Sequence, residues 1–91
     1  MAKVKSAFSY GSSSPSEVVV LETKAKLMMK LTDIIDASGM TRGRAARRFG
    51  VPAPRVTDLR KGNIDNLTVD MLIGMLVRTG RDVKVVVRRR A

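Results

Sequence analysis

The chain has 91 residues, a length typical of a single domain, and it contains neither Cys nor His. Disulfides and thiolate or imidazole metal sites are therefore excluded, and the eight acidic residues show no metal-ligand or paired-carboxylate spacing, so we expect no enzyme, no cofactor and no metal site. No apolar run approaches the roughly 20 residues that cross a bilayer and no signal peptide is evident, so we expect a cytoplasmic protein.

The positive charge is concentrated in one half of the chain. Residues 1–40 carry five Lys and four acidic residues, whereas residues 41–91 carry thirteen basic and four acidic residues. Eleven of those thirteen basic residues are Arg, whose planar guanidinium fits phosphate and guanine. This concentration indicates a polyanionic partner, and compositional drift toward arginine is the alternative explanation of the charge alone.

The first predicted element is a long helix. Residues 1–14 are rich in Ser, Lys and Gly and predict a mobile arm. Ser14 predicts the helix N-cap, with Pro15 in the first turn and Glu17 completing a capping box, and Gly39 predicts the helix end. Spacings of three and four relate the apolar residues between them, which are Leu21, Ala25, Met28, Leu31 and Ile35. We expect this face to be buried.

Two short helices are predicted next, separated by a glycine turn. Thr41 predicts the N-cap of a helix over residues 42–49, which ends at Gly50. A second helix is predicted over residues 53–61 and ends at Gly62. The residues expected to face inward from the two helices are Ala45, Ala46, Phe49, Val56 and Leu59. A short helix, a tight turn and another short helix form the helix-turn-helix layout.

A fourth helix and a strand complete the predicted elements. After a polar loop at residues 63–66, Thr68 predicts the N-cap of a helix that ends before Gly80, with an inward face of Val69, Leu72, Ile73 and Leu76. Residues 82–89 then alternate as in a strand. No other segment predicts a strand, so we expect two copies to pair their strands as a homodimer, through the interface residues Val83, Val85 and Val87.

These features resemble the small lambda-repressor-like (Xre-type) helix-turn-helix regulators that include the HigA-type antitoxins. The likeness runs from about Glu17 to Arg89. It depends on the lead helix Leu21 to Ile35 and on Met40-Thr41, Ala45-Ala46, Gly50-Val51, Pro54-Arg55-Val56, Asp58-Leu59, Lys61-Gly62 and Gly80 to Val85. It implies a mainly α fold of four to five helices with a C-terminal strand that pairs across a dimer.

The expected organisation has three parts: a flexible arm at 1–14, a DNA-binding domain at 15–80, and a dimerisation strand with a basic tail at 81–91. The resemblance implies a regulator that binds a near-palindromic operator in double-stranded DNA, often repressing its own operon, and some family members also neutralise a toxin protein. The family usually has Gln after Thr41 and Ser-Gln before Pro54, where this chain has Arg42 and Pro52-Ala53. The operator sequence therefore cannot be transferred from the family.

The base-reading residues are expected on the second short helix, and they are Ala53, Pro54, Arg55, Thr57 and Asp58. Arg55 is the best donor to guanine, and Asp58 either accepts from cytosine or orients a neighbouring Arg. Phosphate contacts are expected from Thr41, Arg42, Arg44, Arg47, Arg48, Arg60, Lys61 and Asn63. Gly43 either permits close approach of a DNA strand or is a tolerated substitution.

Other readings of the sequence remain open. A toxin-neutralising subunit with only weak or non-specific DNA binding would use the helix at 17–38 or the arm, and a phage repressor would have no toxin. Attachment to a membrane is disfavoured because the cations do not lie on one amphipathic helix with large apolar anchors. RNA binding is disfavoured because only two Phe and one Tyr are available for stacking on unpaired bases.

Overall fold

A computed structural model of the chain describes residues 14–89. Within this range the elements are α1 (Pro15–Ser38), α2 (Arg42–Phe49), α3 (Ala53–Lys61), a 3-10 turn (Ile64–Asn66) and α4 (Val69–Arg78). The mainly α class and the four predicted helices are confirmed. The arm predicted at 1–14 lies outside the described residues except for Ser14, and so do the last two residues of the basic tail.

The predicted capping residues begin and end the helices. At the start of α1 the Glu17 N–H donates to Ser14 Oγ at 3.2 Å and the Ser14 N–H donates to Glu17 Oε1 at 3.1 Å, which completes the capping box. Thr41 caps α2 and Thr68 caps α4 through their side-chain oxygens. These bonds satisfy backbone N–H groups that a helix leaves without partners in its first turn.

One apolar core joins all four helices. Helix α1 packs mainly on α4, and α2 packs on α3 and α4. The buried apolar residues are Met28, Leu31, Ile35, Ala45, Ala46, Phe49, Val56, Leu59, Ile64, Leu67, Leu72, Met75 and Leu76. The core therefore includes most of the predicted inward faces, although Leu21, Ala25, Val69 and Ile73 are only half-buried. Ile64 and Leu67 show that the polar-looking loop after α3 also anchors itself in the core.

The strand predicted over residues 82–89 does not form in the single chain. Residues 81–89 have no regular secondary structure in the structure as described. Val83 is half-buried against the core, whereas Val85 and Val87 are 78% and 90% exposed. A strand requires a hydrogen-bonded neighbour, and no other segment of the described chain supplies one. Pairing between two copies therefore stays a prediction.

Candidate nucleic-acid interface

The turn between α2 and α3 fixes the angle between the two helices. Gly50 ends α2 in the left-handed conformation at φ +72°, and the Val51 N–H then donates to the Ala46 carbonyl at 3.0 Å. A Cβ atom at Gly50 would collide with the Arg78 side chain, which crosses the turn from the end of α4. The backbone conformation therefore favours glycine at this position, and a larger residue would also have to displace the flexible Arg78 side chain.

Helix α3 begins at an end without a side-chain cap. Pro52 occupies the N-cap position, and Pro54 in the first turn has no N–H to satisfy. Val56 and Leu59 are buried, so Pro54 on the opposite side is exposed to solvent. Ala53 is half-buried and packs against the core, so only part of its methyl surface faces outward. The exposed side of α3 is free to enter a groove of DNA.

A hydrogen bond connects the start of α2 with the exposed side of α3. Arg42 Nη1 donates to Thr57 Oγ1 at 2.9 Å. Two residues expected at different parts of the interface, one for phosphates and one for bases, are thus held together. The guanidinium has five N–H donors in a planar fork, so Arg42 retains donors for DNA beside Thr57.

A polar network surrounds Asp58 on the neighbouring side of α3. Arg55 Nη1 donates to Asp58 Oδ2 at 3.1 Å and to the Asn66 carbonyl at 3.2 Å. Asp58 Oδ1 accepts from Asn63 Nδ2 at 3.1 Å and from Asn66 Nδ2 at 3.2 Å. The carboxylate therefore orients Arg55 and holds the loop after α3. Of the two roles considered for Asp58, this is the orientation of a neighbouring Arg and not acceptance of a hydrogen bond from cytosine.

The same network stabilises the charged form of Asp58. Hydrogen bonds from the Asn63 and Asn66 amides, together with the Arg55 guanidinium, hold the pKa of the Asp58 carboxyl below its ordinary value, against the opposing effect of desolvation. The Arg55 side chain is 40% exposed and the Asp58 side chain is 14% exposed. Arg55 thus remains accessible to DNA, while Asp58 is largely covered.

The cations at the end of α3 occupy two different environments. Arg60 Nη1 contacts Asp36 Oδ1 at 2.6 Å, and both side chains are about half exposed, so this ion pair joins α3 to the end of α1. An exposed pair of this kind contributes only about 0–1 kcal/mol, so a phosphate could compete for Arg60. Lys61 is exposed at the last turn of α3, and the Asn63 N–H is engaged with the Asp58 carbonyl at 2.9 Å.

The remaining predicted phosphate contacts lie on α2. Arg42 and Arg44 occupy its first turn, where a cation opposes the helix dipole by about 0.3–1 kcal/mol, and no acidic residue offsets them there. A bound phosphate would offset that cost. Arg47 and Arg48 are exposed in the last turn, where the dipole favours cations. Arg44, Arg47 and Arg48 are all exposed, whereas Ala45, Ala46 and Phe49 of the same helix are buried.

Sequence reasoning missed three residues of this interface. Asp36 holds Arg60, and Asn66 both donates to Asp58 and accepts from Arg55. Arg78 covers the Gly50 turn. The recurrence of Asn at positions 63 and 66, on either side of a buried Ile64, was the available signal for the loop network. The contacts of Asp36 and Arg78 join residues far apart in the chain and have no local signal.

Two further observations concern the described residues as a whole. Over positions 14–89, no helix is both long enough and apolar enough to span a membrane. In the same range, no three acidic, His or Cys side chains come together in an arrangement that would bind a metal ion.

Comparison with known proteins finds a matching family model and a similar solved structure. Residues 12–88 match a family model described as a helix-turn-helix domain. A solved structure described as an XRE family transcriptional regulator is 30% identical to the chain, and the alignment covers 78% of this chain and 80% of that one with a TM-score of 0.72. No curated protein sequence matches the chain.

Proposed function

Since the chain belongs to the helix-turn-helix domain family, we propose that it is a transcriptional regulator that binds double-stranded DNA and reads its sequence with helix α3. It acts by binding rather than by catalysis. The observation that carries the proposal is the Arg42–Thr57 hydrogen bond of 2.9 Å, because it brings a guanidinium onto the exposed side of the helix that follows the glycine turn. The similarity to an XRE family regulator supports the same function.

In this proposal, base contacts come from the exposed and half-exposed side chains of α3. Thr57 and Pro54 face the groove, and Arg55 approaches from the side on which Asp58 holds it. A guanidinium that donates two hydrogen bonds to guanine discriminates against other bases by about 1–3 kcal/mol. Because Arg55 and Arg42 are each fixed by a hydrogen bond, little side-chain entropy is lost when DNA binds.

Phosphate contacts flank the reading helix at both ends. The exposed first turn of α2, with Thr41, Arg42 and Arg44, fits one stretch of backbone. Lys61 and Asn63 at the end of α3 fit another, with Arg60 released from Asp36 or shared with it. Such contacts set the position of the protein and make its affinity dependent on salt.

We further propose that the regulator is a homodimer. Val85, Val86 and Val87 are 75–90% exposed, which is unusual for three consecutive valines in a folded chain. Antiparallel pairing of two C-terminal segments would supply both the strand ladder and a cover for this apolar surface. The two α3 helices would then lie about one DNA turn apart on a near-palindromic operator.

The finer assignment that we propose is a HigA-type antitoxin that represses its own operon. Its support is the resemblance described above and the exposure of Val19 and Val20, at 55% and 45%, on the first half of α1. An exposed apolar pair at this end of the helix suits a protein partner such as a toxin. The protein would work in the cytoplasm, on the nucleoid when bound to DNA. A phage repressor would instead show no toxin partner.

The experiment that tests the DNA-binding proposal compares two duplexes over a salt series. One duplex is the DNA upstream of the protein's own gene and the other is a scrambled duplex of equal composition. We expect the upstream duplex to bind at least about 1,000-fold more tightly, because base contacts survive at salt concentrations that weaken phosphate contacts. Equal binding of the two duplexes, with the same decline in salt, would contradict sequence-specific regulation.

Three variants that each remove one arginine distinguish base contacts from contacts that depend on charge alone. Arg55→Ala is expected to reduce the preference for the upstream duplex about 5- to 100-fold. Arg42→Ala, which removes a phosphate contact, is expected to weaken both duplexes. Arg88→Ala is the control, because it lowers the charge equally in the C-terminal segment and should weaken both duplexes alike. If Arg88→Ala changes the preference as much as Arg55→Ala does, then Arg55 reads no base.

A further inference from the structure

A second basic surface lies on the side of α2 that faces away from α3. It is a groove between the end of α1, helix α2 and the segment after α4, and we call it the arginine groove. Its cationic lining consists of Arg44, Arg47, Arg48 and Arg81. No residue of α3 lines it, so the groove is separate from the reading helix, and Arg44 is the one residue that it shares with the phosphate contacts proposed for the first turn of α2.

The guanidinium groups of this groove have no anionic partner within the described chain. The side chains of Arg44, Arg47 and Arg48 make neither an ion pair nor a hydrogen bond there, and Arg81 makes one hydrogen bond, from Nη1 to the Thr79 carbonyl at 3.1 Å. No acidic residue lines the groove among the residues that the structure describes. Arg55 and Arg60, in contrast, are both paired with carboxylates. The groove therefore concentrates positive charge that a ligand can neutralise.

The floor of the arginine groove is apolar. Its apolar lining residues are Ile34, Ala37 and Met40, of which Ile34 and Met40 are half-buried and Ala37 is exposed. A second groove shares Ile34, Ala37 and Arg81 and continues along α1 past Lys30, and Asp33 and Asp82 also line it. The arginine groove itself therefore combines cations with aliphatic groups, whereas its continuation along α1 carries both basic and acidic side chains. This shape and chemistry differ from those of a compact phosphate site, which uses polar donors alone.

We propose that the arginine groove binds an acidic segment of a partner protein, with carboxylates on the arginines and an apolar side chain on the floor. Arginine clusters recognise acidic motifs through paired hydrogen bonds to each carboxylate. A DNA backbone offers anions but no aliphatic side chain for the Ile34 and Met40 surface. The C-terminal segment of a second copy is excluded by charge, because it carries Arg88, Arg89 and Arg90.

The test measures binding of a fluorescent peptide, Glu-Leu-Glu-Glu-Leu-Glu-Glu-Leu, to the full chain and to its complex with saturating duplex DNA. We expect binding to both forms, since the arginine groove and α3 lie on different sides of α2. Replacing every Leu of the peptide by Ser should weaken binding at least about tenfold if the apolar floor is used, and replacing every Glu by Lys should abolish it.

Two double variants separate the groove from the reading surface. Arg47→Gln with Arg48→Gln should weaken the Leu-containing peptide at least about tenfold. Arg42→Gln with Arg55→Gln removes the same charge and should leave peptide binding unchanged while it weakens duplex binding. Thermal unfolding of each variant, followed by circular dichroism, checks that the helices remain folded.

Three outcomes would overturn the proposal. The first is failure of the peptide to bind, or equal binding to both double variants, since neither result needs the groove. The second is displacement of the peptide by duplex DNA, which would assign the groove arginines to phosphates. The third is equal binding of the Leu and Ser peptides, which would show attraction by charge alone.

Discussion

The helix-turn-helix unit, from Thr41 to Asn66, and the C-terminal segment, residues 81–89, differ in how completely one chain determines their structure. Within the unit, Arg42 bonds to Thr57 across the two helices and Asp58 binds three neighbouring side chains. Beyond Arg81, the C-terminal segment makes no hydrogen bond within the described chain, and only Val83 contacts the core.

This difference suits two separate roles, recognition of DNA by the helix-turn-helix unit and assembly of the dimer by the C-terminal segment. The unit buries Phe49, Val56 and Leu59, and the polar side chains of α3 are held by hydrogen bonds, so the reading surface has a defined shape before any partner binds. The C-terminal segment exposes its valines and leaves its backbone groups to solvent, so its structure depends on the partner that it binds. Variants of the first region should therefore change folding or recognition, and variants of the second should change assembly alone.

The largest effect on stability is expected from Phe49→Ala, which removes a core side chain of the helix-turn-helix unit. Phe49 is 1% exposed at the end of α2, and the cavity left by its ring should cost about 3–5 kcal/mol of unfolding free energy. For a domain of this size, such a loss approaches the total stability. Urea unfolding measures it, with Phe49→Leu as a milder control. A loss below about 1 kcal/mol would contradict the burial of this ring.

A large effect on assembly alone is expected from proline in the C-terminal segment. Successive backbone N–H groups point to opposite edges of a strand, so either Val85→Pro or Val86→Pro removes a hydrogen bond of the proposed pairing. We expect that variant to be a monomer by analytical ultracentrifugation and to bind the full operator at least about 100-fold more weakly. Val86→Thr is the control. Dimers in both proline variants would mean that another surface joins the subunits.

The fold could be predicted from local patterns because the decisive signals lie close together in the chain. The Ser14 capping box, the Thr41 and Thr68 caps and the spacing of Met28, Leu31 and Ile35 all act within one or two helical turns. The burial of Ile64 and Leu67 was not predicted, because a single apolar residue between polar neighbours has no periodicity. The lone strand could be predicted as a pattern, but its partner is not part of the chain.

The candidate site could be predicted as a set of residues but not as an arrangement. The helix-turn-helix layout predicted Arg42, Arg55, Thr57 and Asp58 as interface residues, and their contacts with DNA stay a prediction. Which side chains pair with one another depends on how α2 crosses α3, and no local spacing encodes that angle. For the same reason the arginines of α2 could not be divided between the two sides of that helix.

A smaller effect is expected from two matched glycine variants within the unit. Gly50→Ala should cost about 1–2 kcal/mol, because φ is +72° and the new Cβ would displace Arg78. Gly43→Ala should instead stabilise α2 by up to about 1 kcal/mol, since Gly43 lies within the helix and has open space beside it. Urea unfolding compares the two, and equal destabilisation would contradict the difference in conformation. A more stable Gly43→Ala protein with weaker DNA binding would show that a DNA strand approaches this residue.

The smallest effect, and the one with a defined pH dependence, is expected from Asp58→Asn. Because the folded chain holds the pKa of Asp58 below its ordinary value of about 3.9, the carboxylate contributes stability that is present above about pH 4 and is lost as the pH falls through the lower folded pKa. Asp58→Asn should lower the unfolding free energy at neutral pH and reduce its decline in acid. Denaturant unfolding over a pH series measures both quantities, with Asp33→Asn on the exposed side of α1 as the control. The variant would also lose the ion pair that orients Arg55 in the helix-turn-helix unit, so the preference for the operator should fall at neutral pH. An unchanged pH curve together with an unchanged preference would mean that the loop after α3 keeps its position without the Asp58 network.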